Sequence, residues 1–115
     1  MRPKQCSLFS KWMKDEILNL LRHVMNFEWN LQKAILNYKK HEVSFEKACT
    51  VFKDTLSTTF PDLDHSIQEE RYLIIGLSGK NRILVISHLY KGQTIRIISA
   101  RLATKRERTF YEYGK

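Results

Sequence analysis

Cysteine is scarce in this chain: two among 115 residues, Cys6 and Cys49. Two such residues make neither a secreted disulfide framework nor a cysteine metal site. Cys49 falls beside Phe45 and Phe52 on an apolar helical stripe, where a thiol serves as a small hydrophobe. No apolar run approaches membrane-spanning length. Internal repeats and low-complexity stretches are absent as well. Lys14, Asp15 and Glu16 interrupt the N-terminal apolar residues, so the stretch does not make a convincing signal peptide. These absences make a reducing, cytoplasmic setting the expectation. Acidic residues are the minority charge, 12 against 20 Lys and Arg, and the net charge is +8. That excess suits a phosphate-bearing partner or an acidic protein partner and does not choose between them.

The length fits one domain with a core of its own. Residues 1–24 form a stretch apart. Phe9, Trp12, Met13, Ile17, Leu20, Leu21 and Val24 recur at helical spacing, which predicts an amphipathic helix. Met25 then stands directly before the first residues of a compact domain, so the same stretch also reads as a mis-assigned start. The domain proper is expected over residues 25–115.

Within it, Phe27–Trp29 reads as a short strand and Asn30 as the N-cap of a helix over Leu31–Lys40, with Leu31, Ala34, Ile35 and Tyr38 on one side. Ser44 caps a second helix from Phe45 to about Phe52, with Phe45, Ala48, Cys49 and Phe52 inward. A polar connection follows, with a brief strand at Ser57–Phe60; Pro61 and its acidic neighbours keep it irregular. The period then changes to two. Arg71–Leu77, Arg82–Tyr90 and Thr94–Arg101 read as three strands joined by "SGKN" and "KGQ" turns, an antiparallel meander. "TKRE", Thr104–Glu107, is a capping box opening a last helix to about Tyr113. The predicted class is α+β: a small antiparallel sheet of three to four strands, two helices before it and one after.

Four arginines fall on or beside the strands. Simple alternation places Arg96 with Ile98 and Ala100, and Arg101 with Ile95, Ile97 and Ser99. Arg82 and Arg101, at strand ends, can snorkel to water. Arg96 is interior and needs a carboxylate, an open sheet face or an anion. A guanidinium offers a planar fork of donors that fits phosphate oxygens. Arg71, Arg82, Arg96 and Arg101 together could therefore line a positive sheet surface. His65 can move protons near neutral pH, and Glu69, Glu70 and Arg71 stand where the loop enters the sheet. A His, a Glu and several Arg suffice for RNA cleavage without a metal: a base takes the 2′-hydroxyl proton, an acid protonates the leaving 5′-oxygen, and arginines stabilise the phosphorane. Asp62, Asp64 and His65 are the competing metal set, at a spacing that matches no strong ligand signature.

"FEWNLQKAILNYKKHEVSFEKACTVF", "FPDLDHSIQEERYLIIGLS", "RILVISH" and "IRIISARLATKRERTFYE" occur in the order and spacing of BrnT-type toxins, which the chain resembles from Met25 to Gly114. The resemblance implies a RelE-like fold, a metal-independent endoribonuclease of a type II toxin–antitoxin system and a bacterial cytoplasm. It also implies a BrnA-like antitoxin partner, with operator DNA contacted only through the toxin–antitoxin complex. By position it implies catalytic roles for His65, Glu70, Arg71, Arg82 and Arg101, with no cofactor. Trp29, Lys39, Lys40, Arg96 and Lys105 are candidates for holding the RNA substrate; for Trp29 the competing role is core packing. The alternative function is a non-catalytic antitoxin-binding and co-repressor module, or a degenerate toxin. Two positions depart from the family. Glu42 stands where Gly permits a left-handed helix end, and Lys47 where an acidic residue would complete a capping box with Ser44.

Overall fold

The computed structural model describes residues 26–65 and 69–114. The helix expected over residues 1–24 lies outside the described residues. Five strands form one sheet in the order β1-β5-β4-β3-β2. They are β1 (Asn26–Glu28), β2 (Thr58–Pro61), β3 (Tyr72–Leu77), β4 (Ile83–Lys91) and β5 (Thr94–Leu102). β2 to β5 pair antiparallel, and the β3–β4–β5 meander is as expected. The sheet is nevertheless mixed and wider than expected, because β1 pairs in parallel with β5. Parallel pairing of a three-residue segment leaves no turn signal in the sequence, since all the other strands and two helices lie between the two partners.

Among the described residues three helices flank the sheet: α1 (Leu31–His41), α2 (Phe45–Thr50) and α3 (Lys105–Tyr113). A 3-10 turn, Val51–Lys53, extends α2. All three expected caps are formed. Asn30 accepts from the Lys33 amide, Ser44 from the Lys47 amide, and Thr104 exchanges both bonds of the capping box with Glu107. Each satisfies an amide that the helix itself leaves without a partner. α1 ends at Glu42, whose φ of 59° places it in the left-handed region, with its amide on the Tyr38 carbonyl.

The two sheet faces carry separate cores. Phe27, Ile74, Leu84, Ile86, Ile95, Ile97 and Ala100 face α1 and α2 and pack with Trp29, Val43, Phe45, Ala48, Cys49 and Val51. Phe45 is fully buried, a contribution of about 1.5–3 kcal/mol for a side chain of this kind. The second face packs Ile75, Val85 and Ala103 with Phe60, Leu73, Ile83, Phe110 and Tyr111, so α3 covers it from the side opposite α1. Asp54 ties this layer together. It accepts from the Leu77 amide at 2.8 Å, from the Leu56 amide at 3.0 Å and from the Tyr111 hydroxyl. Burial opposes its ionisation, but the bonds from Tyr111, Leu77 and Leu56 outweigh that and lower its pKa.

The apolar side of α1, with Leu31, Ala34, Ile35 and Tyr38, is not the side that faces the sheet. Asn37 is the one buried residue of the helix, and Ala34 packs partly against the core. Leu31, Ile35, Leu36 and Tyr38 are all at least half exposed. The cause is polar: the Asn37 amide reaches the backbone of Ala100 and Val43, which turns the Asn37 side of the helix toward the sheet.

Candidate nucleic-acid interface

A register shift in the β4–β5 ladder decides where the arginines point. Ser87 lies opposite Ser99, whereas His88 lies opposite Ile97, so Ile98 is an extra residue on β5. Such a bulge reverses the alternation beyond it. Ile95, Ile97 and Ala100 therefore share the core face, and Arg96, Ser99 and Arg101 share the other. This corrects the expectation from simple alternation, which separated Arg96 from Arg101.

Opposed residues on paired strands face the same side. Leu89 faces Arg96, and Arg96 faces Glu28 across β1. Arg71 directly precedes β3, and the Tyr72–His88 pair brings it beside Leu89. Arg71, Leu89, Arg96 and Glu28 thus form a row across four strand positions, with roughly 10 Å between the two arginine backbones. Arg101 lies opposite Val85, about 14 Å along the strands from that row.

Each of these guanidiniums is held by a carboxylate. Arg96 Nη1 donates to Glu28 Oε2 at 2.8 Å. Arg71 Nε donates to Glu69 Oε1 at 3.2 Å. Arg101 donates through both Nη atoms to Glu107, at 2.7 and 3.0 Å, a fork-to-fork pair that fastens α3 to the sheet. The Arg101 hydrogen bond, working against partial burial and helped by Thr104, lowers the Glu107 carboxyl to about 2.

Arg82 does not join them. It stands two residues before buried Leu84, on the side of α1 and α2, and its Nη2 donates to the Glu42 carbonyl at 3.4 Å. A single pocket built from Arg71, Arg82 and Arg101 is therefore absent from the described residues: strand alternation puts Arg82 on the opposite face. Trp29 is only 3% exposed and meets Phe45 edge-on at 5.8 Å, so it is a core residue and not a stacking platform. Lys39 and Lys40 are exposed in the last turn of α1, away from the arginine row, and favour the negative end of that helix. Lys105 is exposed in the first turn of α3. The side chain of His65 lies outside the described residues. Glu70 is exposed and accepts from the Tyr72 hydroxyl at 3.3 Å. The negative charge of Glu70, aided by some desolvation, raises the Tyr72 pKa.

Sequence reasoning missed an aromatic group on the core face. His88 is fully buried; its ring meets Phe52 edge-on at 5.0 Å and Tyr90 at 5.3 Å, and Tyr72 meets Tyr90 at 5.3 Å. Period-two spacing of His88 and Tyr90 was visible, but the Tyr72–His88 register that unites them was not. Burial drives the His88 pKa down to about 4, against a smaller upward pull from the Ile86 carbonyl. Glu28 was missed as the partner of Arg96 for a similar reason, since only the parallel β1–β5 pairing brings them together. Among the described residues there is no cluster of three or more His, Cys, Asp or Glu that could hold a metal ion, and no helix is long and apolar enough to cross a membrane.

Comparison with known proteins gives this geometry a family. Residues 29–107 match the family described as "Ribonuclease toxin, BrnT, of type II toxin-antitoxin system". The fold is similar to the crystal structure of the Brucella abortus ribonuclease toxin BrnT. The identity is 25%, the TM-score 0.53, and the match covers 67% of this chain and 94% of that one. No curated protein matches the chain significantly. The family match spans well over half of the sequence, and this chain belongs to the BrnT family of ribonuclease toxins of type II toxin–antitoxin systems.

Proposed function

We propose that the chain is an RNA endonuclease that works without a metal, on the sheet face carrying Arg71 and Arg96. The supporting observation is the Ile98 bulge, which turns Arg96 onto that face and sets it in one row with Arg71. The 2′-hydroxyl of one nucleotide attacks the adjacent phosphorus and loses its proton to a base. The bond to the 5′-oxygen breaks, and that oxygen takes a proton from an acid. The products are a 2′,3′-cyclic phosphate and a 5′-hydroxyl. Arg71 and Arg96 stabilise the pentavalent phosphorus, each exchanging its carboxylate partner for phosphate oxygens. His65, in the loop before Arg71, handles the protons; Glu70, bound to the Tyr72 hydroxyl on the opposite face, takes no part. Arg101 positions α3, and the role expected of Arg82 passes to Arg96.

The test is cleavage of a defined RNA by the full chain. Arg71→Ala and Arg96→Ala are each expected to lower the rate about 100-fold, the scale of losing one preorganised donor. Arg82→Ala should retain the rate. Replacing the 2′-hydroxyl at the scissile position with hydrogen should abolish cleavage, and excess chelator should not affect it. Loss of activity in chelator, with the protein still folded, would remove this mechanism.

The carboxylate partners of the arginines favour a second reading. If Glu28, Glu69 and Glu107 keep their guanidiniums, the chain is an antitoxin-binding module that contacts operator DNA only within the toxin–antitoxin complex. Retention of the antitoxin together with intact RNA would decide for it. In either case the antitoxin is BrnA-like and the setting is the bacterial cytoplasm.

A further inference from the structure

The aromatic group on the α1–α2 face of the sheet has no part in the cleavage chemistry. Tyr72, His88 and Tyr90 lie at the end of the sheet where Arg71 enters β3. Tyr90 is 50% exposed and Tyr72 half-buried, and their rings meet edge-on at 5.3 Å. Both rings are fixed by their hydroxyls. His88 is fully buried, and its Nδ1 lies 3.3 Å from the Ile86 carbonyl. A carbonyl only accepts, so Nδ1 carries the proton and Nε2 accepts from the Tyr90 hydroxyl, 3.3 Å away. Burial keeps the imidazole neutral, as this arrangement requires. A core residue thus sets the orientation of a ring that the fold itself leaves half in solvent. The Tyr72 hydroxyl donates to Glu70 Oε1 at 3.3 Å, and an exposed carboxylate has acceptor sites beyond the one this bond occupies.

We propose that Tyr72 and Tyr90 form a stacking platform for one base of the RNA and that Glu70 reads the edge of that base, favouring guanine. The proposal rests on the nuclease reading for the presence of RNA. Stacking needs a rigid aromatic face and tolerates any base. Selection among bases needs a hydrogen-bonding group beside that face. A carboxylate only accepts, and guanine is the base with two adjacent donors, N1–H and N2–H, on its Watson–Crick edge. That pair meets a carboxylate as the fork of a guanidinium does. Position selects RNA among the possible occupants. Arg71 and Tyr72 are consecutive, and so are Leu89, Tyr90 and the exposed Lys91. Alternation puts Arg71, Leu89 and Lys91 on the arginine face and Tyr72 and Tyr90 on the other. An RNA strand held by its phosphate at Arg71 brings a neighbouring base to the rings by turning around this end of the sheet. An apolar side chain from a protein partner would instead desolvate the Glu70 carboxylate and offer it no donor.

The experiment uses the full chain and three variants. Tyr90→Leu keeps an apolar side chain without an aromatic face, and Glu70→Ala removes the reading carboxylate. Tyr113→Leu, the control, removes a tyrosine 79% exposed in the last turn of α3. The probes are short 2′-O-methyl RNAs, which lack the attacking hydroxyl and cannot be cleaved. One is all uridine, one carries guanines, and one carries 2-aminopurine, whose emission is quenched by stacking. Circular dichroism checks that each variant is folded. The parent and Tyr113→Leu are expected to quench 2-aminopurine and to bind the guanine probe about tenfold more tightly than the uridine probe. Tyr90→Leu should lose the quenching and bind both probes about tenfold more weakly. Glu70→Ala should keep the quenching and bind the guanine and uridine probes alike. Quenching that survives in Tyr90→Leu, or equal affinity of the parent for the guanine and uridine probes, would overturn the proposal. So would a Tyr90→Leu protein that binds the probes like the parent and loses affinity for the antitoxin, since the rings would then be a protein contact. Cleavage of unmodified RNA is read separately. Quenching and guanine preference as expected, with no RNA cut by any of the proteins, would count against the nuclease reading and leave the base site in place. Cleavage by the parent without either signal would do the reverse.

Discussion

Asn37 and Ala100 exchange two hydrogen bonds across the α1–β5 boundary: the Asn37 Nδ2 donates to the Ala100 carbonyl at 2.8 Å, and the Ala100 amide donates to Asn37 Oδ1 at 3.1 Å. β1 pairs with β5 only as far as Arg96, and beyond it no strand of the described residues lies along the outer edge of β5. The Asn37 side chain supplies for Ala100 the donor and acceptor that another strand would have supplied. It also donates to the Val43 carbonyl at 3.1 Å, which fixes the chain between α1 and α2.

Asn37→Leu is accordingly expected to cost on the order of 3 kcal/mol, because it buries backbone groups of Ala100 and Val43 without partners. Urea unfolding measures this directly. A loss below about 0.5 kcal/mol would mean that water or a shifted helix replaces the amide.

Glu42→Gly should act in the opposite direction. Glu42 holds a φ of 59°, which glycine adopts without a Cβ penalty. Thermal unfolding is expected to show a gain of about 1 kcal/mol. Arg82 donates to the carbonyl of residue 42, a backbone atom that the substitution retains.

His88 makes stability depend on pH above the carboxylate range. It is neutral in the fold, with its pKa lowered by burial to about 4 from an ordinary 6.5. Between those values the unfolded chain binds the proton and the folded chain does not, so stability falls as pH drops from 6.5 toward 4. Chemical denaturation of the protein and of His88→Leu across this window should show a steeper decline for the parent. Parallel profiles would mean that the ring is protonated in place.

A second window belongs to Glu107. Its folded pKa, about 2, is below the ordinary 4.5, chiefly through the Arg101 hydrogen bond. The stabilisation is present above pH 4.5 and is lost as pH falls toward 2. Glu107→Gln should therefore destabilise the protein at pH 7 and approach parity with the parent near pH 2. A constant difference across that range would show that the capping bonds of residue 107 matter and its charge does not.

Much of the architecture was legible in short-range patterns. Asn30, Ser44 and Thr104 each open a helix because a side-chain oxygen three residues from an orphan amide can accept from it, and that relation is purely local. Period-two runs and glycine turns marked the meander for the same reason. What alternation could not reveal was the extra residue at Ile98. A bulge arises from the pairing of two strands, and its effect was to bring Arg96 and Arg101 to one face and leave Arg82 on the other.

The inward side of α1 was equally hidden. Its stripe of Leu31, Ile35 and Tyr38 has the spacing of a core face, and the sequence determined that the stripe exists. Only the tertiary structure decided that it points outward. The unpaired edge of β5 requires a polar partner, and meeting that requirement with Asn37 outweighs burying the apolar side. Local chemistry thus determined the elements and their ends. Long-range pairing of β1, β4 and β5 decided which side chains meet, because register and face depend on residues tens of positions apart in the chain.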